Sequence, residues 1–203
     1  MTLTLGFDTS GPYCAAAVLG ADSVVASCFE EMRKGQAERL MPLLQDVLAE
    51  ADAGWGDLDA IGVGTGPGNF TGTRIAVAAA RGLALGLGIP AQGVGAVEAL
   101  AEGRAVTVCL PAPRGAVHIG WGARVATLGA DSILPEGWPR DVTGPAAGDL
   151  AARLGLRILP APSIAQAIAR VAARADAGGS RPAPIYLRPA DAAPASDKPP
   201  QIL

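Results

Sequence analysis

Residues 62–77 read GVGTGPGNFTGTRIAV. Ala60, Ile61 and Val63 form a short apolar strand that runs into a loop with glycines at 62, 64, 66, 68 and 72. A helix of mostly small side chains follows, from Thr73 to about Leu87. Glycines at this density let backbone pass close to something, at an entropic cost to folding. The start of the helix also aims N–H groups into the same space. Two readings stay open: a loop shaped for a close approach, and a tight turn between strand and helix.

Neither common phosphate fingerprint fits the loop. A Walker loop ends in Lys followed by Ser or Thr, and no lysine lies between Lys34 and Lys198. The dinucleotide pattern G-x-G-x-x-G fails in every register, because its third glycine falls on Pro67, Asn69 or Thr71. What remains is a strand–loop–helix junction. With Thr71 as the N-cap, Phe70 and Ile75 take the positions of a hydrophobic staple, and Arg74 sits in the first turn.

The rest of the chain bounds the answer. At 203 residues it makes one large domain or two small ones. Half of the residues are hydrophobic but only 4% are aromatic, so the core is built from small aliphatic groups. The net charge of −3 and the absence of a dense Lys/Arg cluster argue against nucleic-acid binding by this chain alone. Cys14, Cys28 and Cys109 form no C-x-x-C, and their odd number suits a reducing compartment better than a disulfide framework. The N-terminus has no basic segment and Asp8 interrupts its first apolar run, so a signal peptide is not expected. The longest uncharged stretch, 82–97, is broken by Pro90 and several glycines and is no membrane span. The expectation is a soluble cytoplasmic protein.

Residues 2–7 alternate as a strand, 8–12 turn, 13–19 resume as a second strand, and 23–29 form a third. This predicts an antiparallel meander at a sheet edge. Residues 36–51 read as a helix, with Leu40, Met41, Leu44, Val47, Leu48 and Ala51 at helical spacing and Gly54 and Gly56 beyond its end. After the glycine loop and its helix come a short strand at 92–94 and a helix at 96–102. The order predicts an α/β layer with a mixed sheet flanked by helices. The plan then restarts with strands at 105–110 and 116–121. A mixed region at 122–155 with one further strand follows, then a strand at 156–159 and a helix at 163–175 capped by Ser163. Residues 176–184 read as a linker-like turn and 185–187 as a last short strand. The composition from Pro189 onward predicts a loose tail.

Three stretches resemble the bacterial TsaB (YeaZ) family, the non-catalytic relatives of TsaD within the actin/Hsp70/sugar-kinase superfamily. They are LGFDTSGPYCAAAVLG at 5–20, GVGTGPGNFTGTRIAVAAARGLALGLGIPAQGV at 62–94, and PIYLR at 184–188. The match is dense over 1–103 and thin beyond. The resemblance implies a duplicated actin/Hsp70-like (ribonuclease-H-like) α/β fold. Its first sub-domain spans 1–103, a reduced second one spans 104–188, and a flexible tail spans 189–203. It also implies a role in forming threonylcarbamoyladenosine in tRNA. In that role the chain is a scaffold for a TsaD-like partner that carries the chemistry, with a TsaE-like ATPase in the assembly and tRNA engaged only indirectly.

The family's docking helices map onto 36–51 and 73–87. The partner-binding residues are then Leu40, Met41, Leu44 and Leu48 on the first helix, and Ile75, Ala79, Gly82, Leu83 and Gly86 on the second. The small residues at 79, 82 and 86 suit close helix-on-helix packing. The same face predicts a homodimer when the chain is alone.

The chemistry of catalysis is missing from the sequence. The catalytic relatives hold a metal with H-x-x-x-H, whereas this chain has one histidine, His118, in a predicted strand. No serine or cysteine has a histidine partner suggested by motif. The turn Asp8-Thr9-Ser10 occupies the place where kinases of the superfamily use a carboxylate for Mg²⁺. With Gly66, Gly68, Asn69 and Thr71 it makes the nucleotide-facing set, and the competing reading is an Asx turn. The corresponding second turn reads PAPRG at 111–115 and has no carboxylate, and Gly178-Gly179 is a slight remnant of the adenosine motif. The expectation is no catalytic residue, no metal, and no cofactor beyond weak ATP or ADP contact inside a complex. The alternative is a small ATP-dependent phosphotransferase or hydrolase using Asp8 and the 64–72 loop.

Overall fold

The computed structural model describes residues 2–21, 23–175 and 181–187. Its first sheet contains β1 (Leu3–Asp8), β2 (Tyr13–Gly20), β3 (Ser23–Glu31), β4 (Ala60–Gly64) and β5 (Ala91–Val94), in the order β3-β2-β1-β4-β5. β1 to β3 form the antiparallel meander at one edge, and β4 and β5 join β1 in parallel. Parallel neighbours need long crossovers. The helices α1 (Gln36–Glu50) and α2 (Phe70–Leu87) supply them.

α1 lies on the sheet because Leu40, Leu43, Leu44, Val47 and Leu48 form one apolar stripe at i, i+3, i+4, i+7 and i+8. That stripe meets Leu5, Phe7, Val18, Ile61 and Val63 in the main core. Leu43 belongs to the stripe although the sequence reading passed over it. Met41, which that reading included, is 39% exposed. Pro42 stands inside α1 on its exposed side, where the missing N–H is tolerated because the packed stripe holds both turns.

The opposite face of the sheet is covered by α5 (Ile164–Ala173), a helix from the far end of the chain. Two strand glycines make this possible. A Cβ on Gly62 would stand 2.7 Å from the Ala172 Cβ and 2.9 Å from the Ile168 carbonyl oxygen. On Gly6 it would stand 2.6 Å from the Ala169 nitrogen. The helix therefore rests almost on bare strand backbone.

The second sheet contains β6 (Thr107–Pro111), β7 (Val117–Trp121), β8 (Arg124–Leu128), β9 (Asp141–Thr143) and β10 (Arg157–Ile158), in the order β10-β9-β6-β7-β8. Read from the other end, 8-7-6-9-10 repeats 3-2-1-4-5 strand for strand, again with an antiparallel meander and two parallel additions. The fold is therefore duplicated. Its second half is reduced, because residues 129–140, between β8 and β9, contain no counterpart of α1.

α3 (Ala96–Ala101) packs on β6, β7 and α5, so α3 and α5 lie between the two sheets and each covers the sheet of the other half. α4 (Ala147–Leu154) closes the outer face of the second sheet over Cys109, Ile119 and Val142. The sequence reading contained no helix here, because Gly144, Pro145 and Gly148 crowd its start.

Several local expectations are corrected. α2 begins at Phe70 and not at Thr73. Its N-cap is Asn69, whose side-chain oxygen accepts the Gly72 N–H at 2.8 Å, so Thr71 lies inside the helix and the Phe70/Ile75 staple is out of register. Ser163 occupies the N-cap position of α5 without a side-chain capping bond. Residues 185–187 are not a strand, although the Ile185 N–H donates to the Thr65 carbonyl at 2.8 Å. Gly178-Gly179, Arg188 and the tail at 189–203 lie outside the described residues.

Candidate functional site

The two loops singled out by the sequence meet at the C-terminal ends of β1 and β4. Asp8 ends β1. Its Oδ1 accepts the Ser10 N–H at 3.0 Å, and its Oδ2 accepts the Ser10 hydroxyl at 2.8 Å and the Tyr13 hydroxyl at 2.7 Å. This is an Asx turn. The Thr9 hydroxyl donates to the Gly72 carbonyl at 2.7 Å, and the Asn69 N–H donates to the Ser10 carbonyl at 2.6 Å.

The glycines of the loop face this turn. A Cβ on Gly64 would overlap the Asp8 carboxylate, on Gly68 the Ser10 carbonyl, and on Gly72 the Thr9 carbonyl. Gly66 adopts φ +84°, in the left-handed region. Of the two readings left open by the sequence, the close approach is the one realised, and what approaches is the chain's own Asp8–Ser10 turn.

The nucleotide-facing set divides accordingly. Asp8, Thr9, Ser10 and Gly66 are buried, whereas Gly68, Asn69 and Thr71 are exposed. Burial pushes the Asp8 carboxyl above its ordinary range, against the Tyr13 and Ser10 hydrogen bonds that favour its charged form. A kinase-like Mg²⁺·ATP needs a carboxylate turned outward and a vacant cradle of glycines. Here the carboxylate is turned inward onto three donors, and Thr9 and Ser10 lie against the loop glycines. The turn between β6 and β7 is a short 3-10 segment, Pro113–Gly115, with Arg114 at φ 61° and no carboxylate.

The remaining reactive types are engaged in structure. His118 lies half-exposed on β7 with Nδ1 2.8 Å from the Thr127 hydroxyl. Among the described residues no group of three or more His, Cys, Asp or Glu could hold a metal ion. Burial pushes the Cys14 thiol up to about 11 and the Cys109 thiol up to about 12, away from the activated thiolate range. A cavity of about 590 Å³ opens at the opposite end of the first sheet, by Thr2, Thr4, Arg81, Leu85 and Ala173. It lies away from the C-terminal strand ends where open α/β sheets hold ligands.

The second feature is the outer face of α2. Ala78, Gly82, Leu85 and Gly86 stand at i, i+4, i+7 and i+8 and are all exposed. Leu85 is 85% exposed, and nothing lies within 4 Å of a Cβ built on Gly82 or Gly86. At the helix's N-terminal end, the Arg74 guanidinium lies 3.7 Å from the centre of the Phe70 ring, and its Nε–H donates to the Tyr186 hydroxyl at 2.8 Å.

The expected partner-binding set is corrected in part. Leu40, Leu44 and Leu48 are enclosed in the chain's own core. The stripe that resembles a docking face is the one α1 gives to its own sheet. Ile75, Ala79 and Leu83 are half-buried along the flank of α2, whereas Met41, Gly82 and Gly86 face outward. Ala78, Leu85 and the Phe70–Arg74–Tyr186 cluster were missed. The available signal was Leu85 itself, an apolar residue off the buried Thr73, Ala76, Val77 and Ala80 stripe and beside two glycines.

The comparisons with known proteins agree with this architecture. The family model of TsaD, tRNA N6-adenosine threonylcarbamoyltransferase, matches residues 30–183. None of the curated proteins matches the chain in sequence. A Pseudomonas aeruginosa structure, described as an uncharacterized protein with similarity to peptidase YeaZ, is 27% identical with a TM-score of 0.75 over 93% of this chain and 100% of its own. YeaZ from Pseudomonas aeruginosa is also 27% identical, with a TM-score of 0.72 over 92% of this chain and 100% of its own. Component A of the (R)-2-hydroxyglutaryl-CoA dehydratase of Acidaminococcus fermentans is 13% identical, with a TM-score of 0.58 over 85% and 98%. That last likeness concerns the fold alone, which is the duplicated actin/Hsp70-like one. With its repeated sheets and its match over residues 30–183, the chain belongs to the TsaD family of tRNA N6-adenosine threonylcarbamoyltransferases, in the TsaB (YeaZ) branch.

Proposed function

We propose that the chain is a non-catalytic subunit in threonylcarbamoyladenosine formation, acting in the cytoplasm, which docks on a TsaD-type catalytic subunit through the outer face of α2. The observation that carries this reading is Leu85. A leucine held 85% exposed on an ordered helix, flanked by two glycines with open space above them, is a surface prepared for another backbone to approach. Met41 on α1 is a further exposed apolar side chain. The inward-turned Asp8 supports the other half of the reading, because the chain's own loops occupy the place where a relative would hold phosphate. The chemistry, the ATPase of TsaE type and the tRNA contact then belong to the rest of the assembly. In the absence of its partner the chain pairs with itself through the same helices.

The test is titration of the purified chain with the TsaD-type subunit, beside Leu85→Glu and Gly82→Glu. The wild type forms a stable heteromeric complex. Both variants fold normally and fail to form it. Micromolar binding of Mg²⁺·ATP with turnover by the isolated chain would favour the phosphotransferase alternative instead.

A further inference from the structure

The helix α2 carries no acidic residue between 70 and 87, and its only charges are Arg74 and Arg81. Neither makes an ion pair among the described residues, where the ion-paired arginines are Arg39, Arg157 and Arg170. Arg81 lines the open cavity, whereas Arg74 is held. Phe70 and Tyr186 stack with ring centres 5.2 Å apart, and Arg74 covers the Phe70 ring at 3.7 Å and lies 5.6 Å from the Tyr186 ring. The Tyr186 hydroxyl takes its Nε–H. Tyr186 is itself positioned by the Ile185 N–H bond to Thr65, so a residue 112 positions away fixes this guanidinium.

An exposed arginine ordinarily samples many rotamers and loses that freedom when it binds. Here the plane and the Nε are already fixed, and the two terminal nitrogens have no acceptor among the described residues. Such a fork matches a carboxylate in two parallel bonds. We propose that Arg74 is a preorganised anchor on the docking face that receives an Asp or Glu side chain of the catalytic subunit. The inference rests on the docking reading above and gives it a specific contact. A protein carboxylate fits the surroundings better than an RNA phosphate does. Ala78, Gly82 and Leu85 continue the surface as apolar contact, and the chain has net charge −3 with no further basic cluster to follow a nucleic-acid backbone.

Calorimetric titration of the full chain with the catalytic subunit, at low and at high salt, tests this with Arg74→Ala, Arg74→Lys and Tyr186→Phe, beside Leu85→Glu. Arg74→Ala weakens the complex about tenfold and flattens its salt dependence. Arg74→Lys loses nearly as much, because an ammonium neither stacks nor forks, and Tyr186→Phe loses about threefold. All three melt within about two degrees of the wild type, as surface changes do. If Leu85→Glu abolishes binding while Arg74→Ala binds as the wild type does, the anchor is wrong and the docking reading stands. If Leu85→Glu and Arg74→Ala both bind normally, the docking reading falls and the anchor falls with it. A weakened complex with an unchanged salt slope overturns the carboxylate contact. So does an Arg74→Ala variant that loses only self-association or RNA binding.

Discussion

Thr9 and Gly72 are interlocked in both directions. The Thr9 hydroxyl donates to the Gly72 carbonyl at 2.7 Å, and the Thr9 carbonyl fills the space where a Cβ on Gly72 would stand. This contact joins the end of β1 to the first turn of α2 and holds that helix to the sheet. It also explains the glycine density of the loop without a ligand, since three of its glycines face the backbone or carboxylate of a single turn.

Gly72→Ala therefore destabilises the isolated chain by roughly 2–4 kcal/mol, because the obstructing atom is backbone and cannot swing aside. Gly82→Ala does the opposite. Its Cβ enters open space in a helix interior, so the substitution stabilises by about 0.5–1 kcal/mol. Urea unfolding of the two variants beside the wild type checks both signs.

Much of this was legible in the sequence, and the failures have physical causes. The meander, the mixed sheet and the restart near residue 105 followed from alternation and turn residues. α4 did not, because eight residues crowded by Gly144, Pro145 and Gly148 give too little periodicity to read. Helical spacing identified the α1 stripe, with Met41 included and Leu43 left out, but could not say that the chain's own sheet uses it. Leu40, Leu44 and Leu48 turned out to be core, whereas Leu85 lies off the stripe and stays outside. That α5 crosses to the first sheet was also beyond a local reading, although Gly6 and Gly62, paired across the adjacent strands β1 and β4, were the trace of it.

The division of α1 yields a contrast. Leu44→Glu places an unpaired charge in the core and leaves no folded protein, since an uncompensated buried charge costs several kcal/mol, a large share of a domain's stability. Met41→Glu, three positions earlier and on the surface, shifts stability by less than about 0.5 kcal/mol. Circular dichroism melts separate the two.

Ile168 on α5 lies fully buried between the sheets, beside Gly62. Ile168→Ala destabilises by roughly 2–5 kcal/mol. Because α5 packs on the first sheet and on α3, which covers the second, the loss shifts one cooperative transition. Two separated transitions in a thermal melt would show that the halves unfold independently.

Asp8 makes stability depend on pH. Burial raises its carboxyl above the ordinary 3.8, so the folded chain binds this proton more tightly than the unfolded one. Its contribution is complete below about 3.8 and is lost as pH rises through the raised value. Asp8→Asn cannot titrate. The unfolding free energy of the wild type minus that of Asp8→Asn therefore falls with rising pH across this window. A difference that rises would mean that the hydrogen bonds from Ser10 and Tyr13 outweigh burial.

The most direct test of the central claim is threonylcarbamoyl transfer to tRNA reconstituted from purified components, with the chain omitted, alone, added as wild type, or added as Leu85→Glu. The account predicts no product from the chain alone and modification only when the wild type joins the catalytic subunit. It also predicts that Leu85→Glu behaves like the omission. Product formed by the chain alone, or full activity with Leu85→Glu, would contradict it.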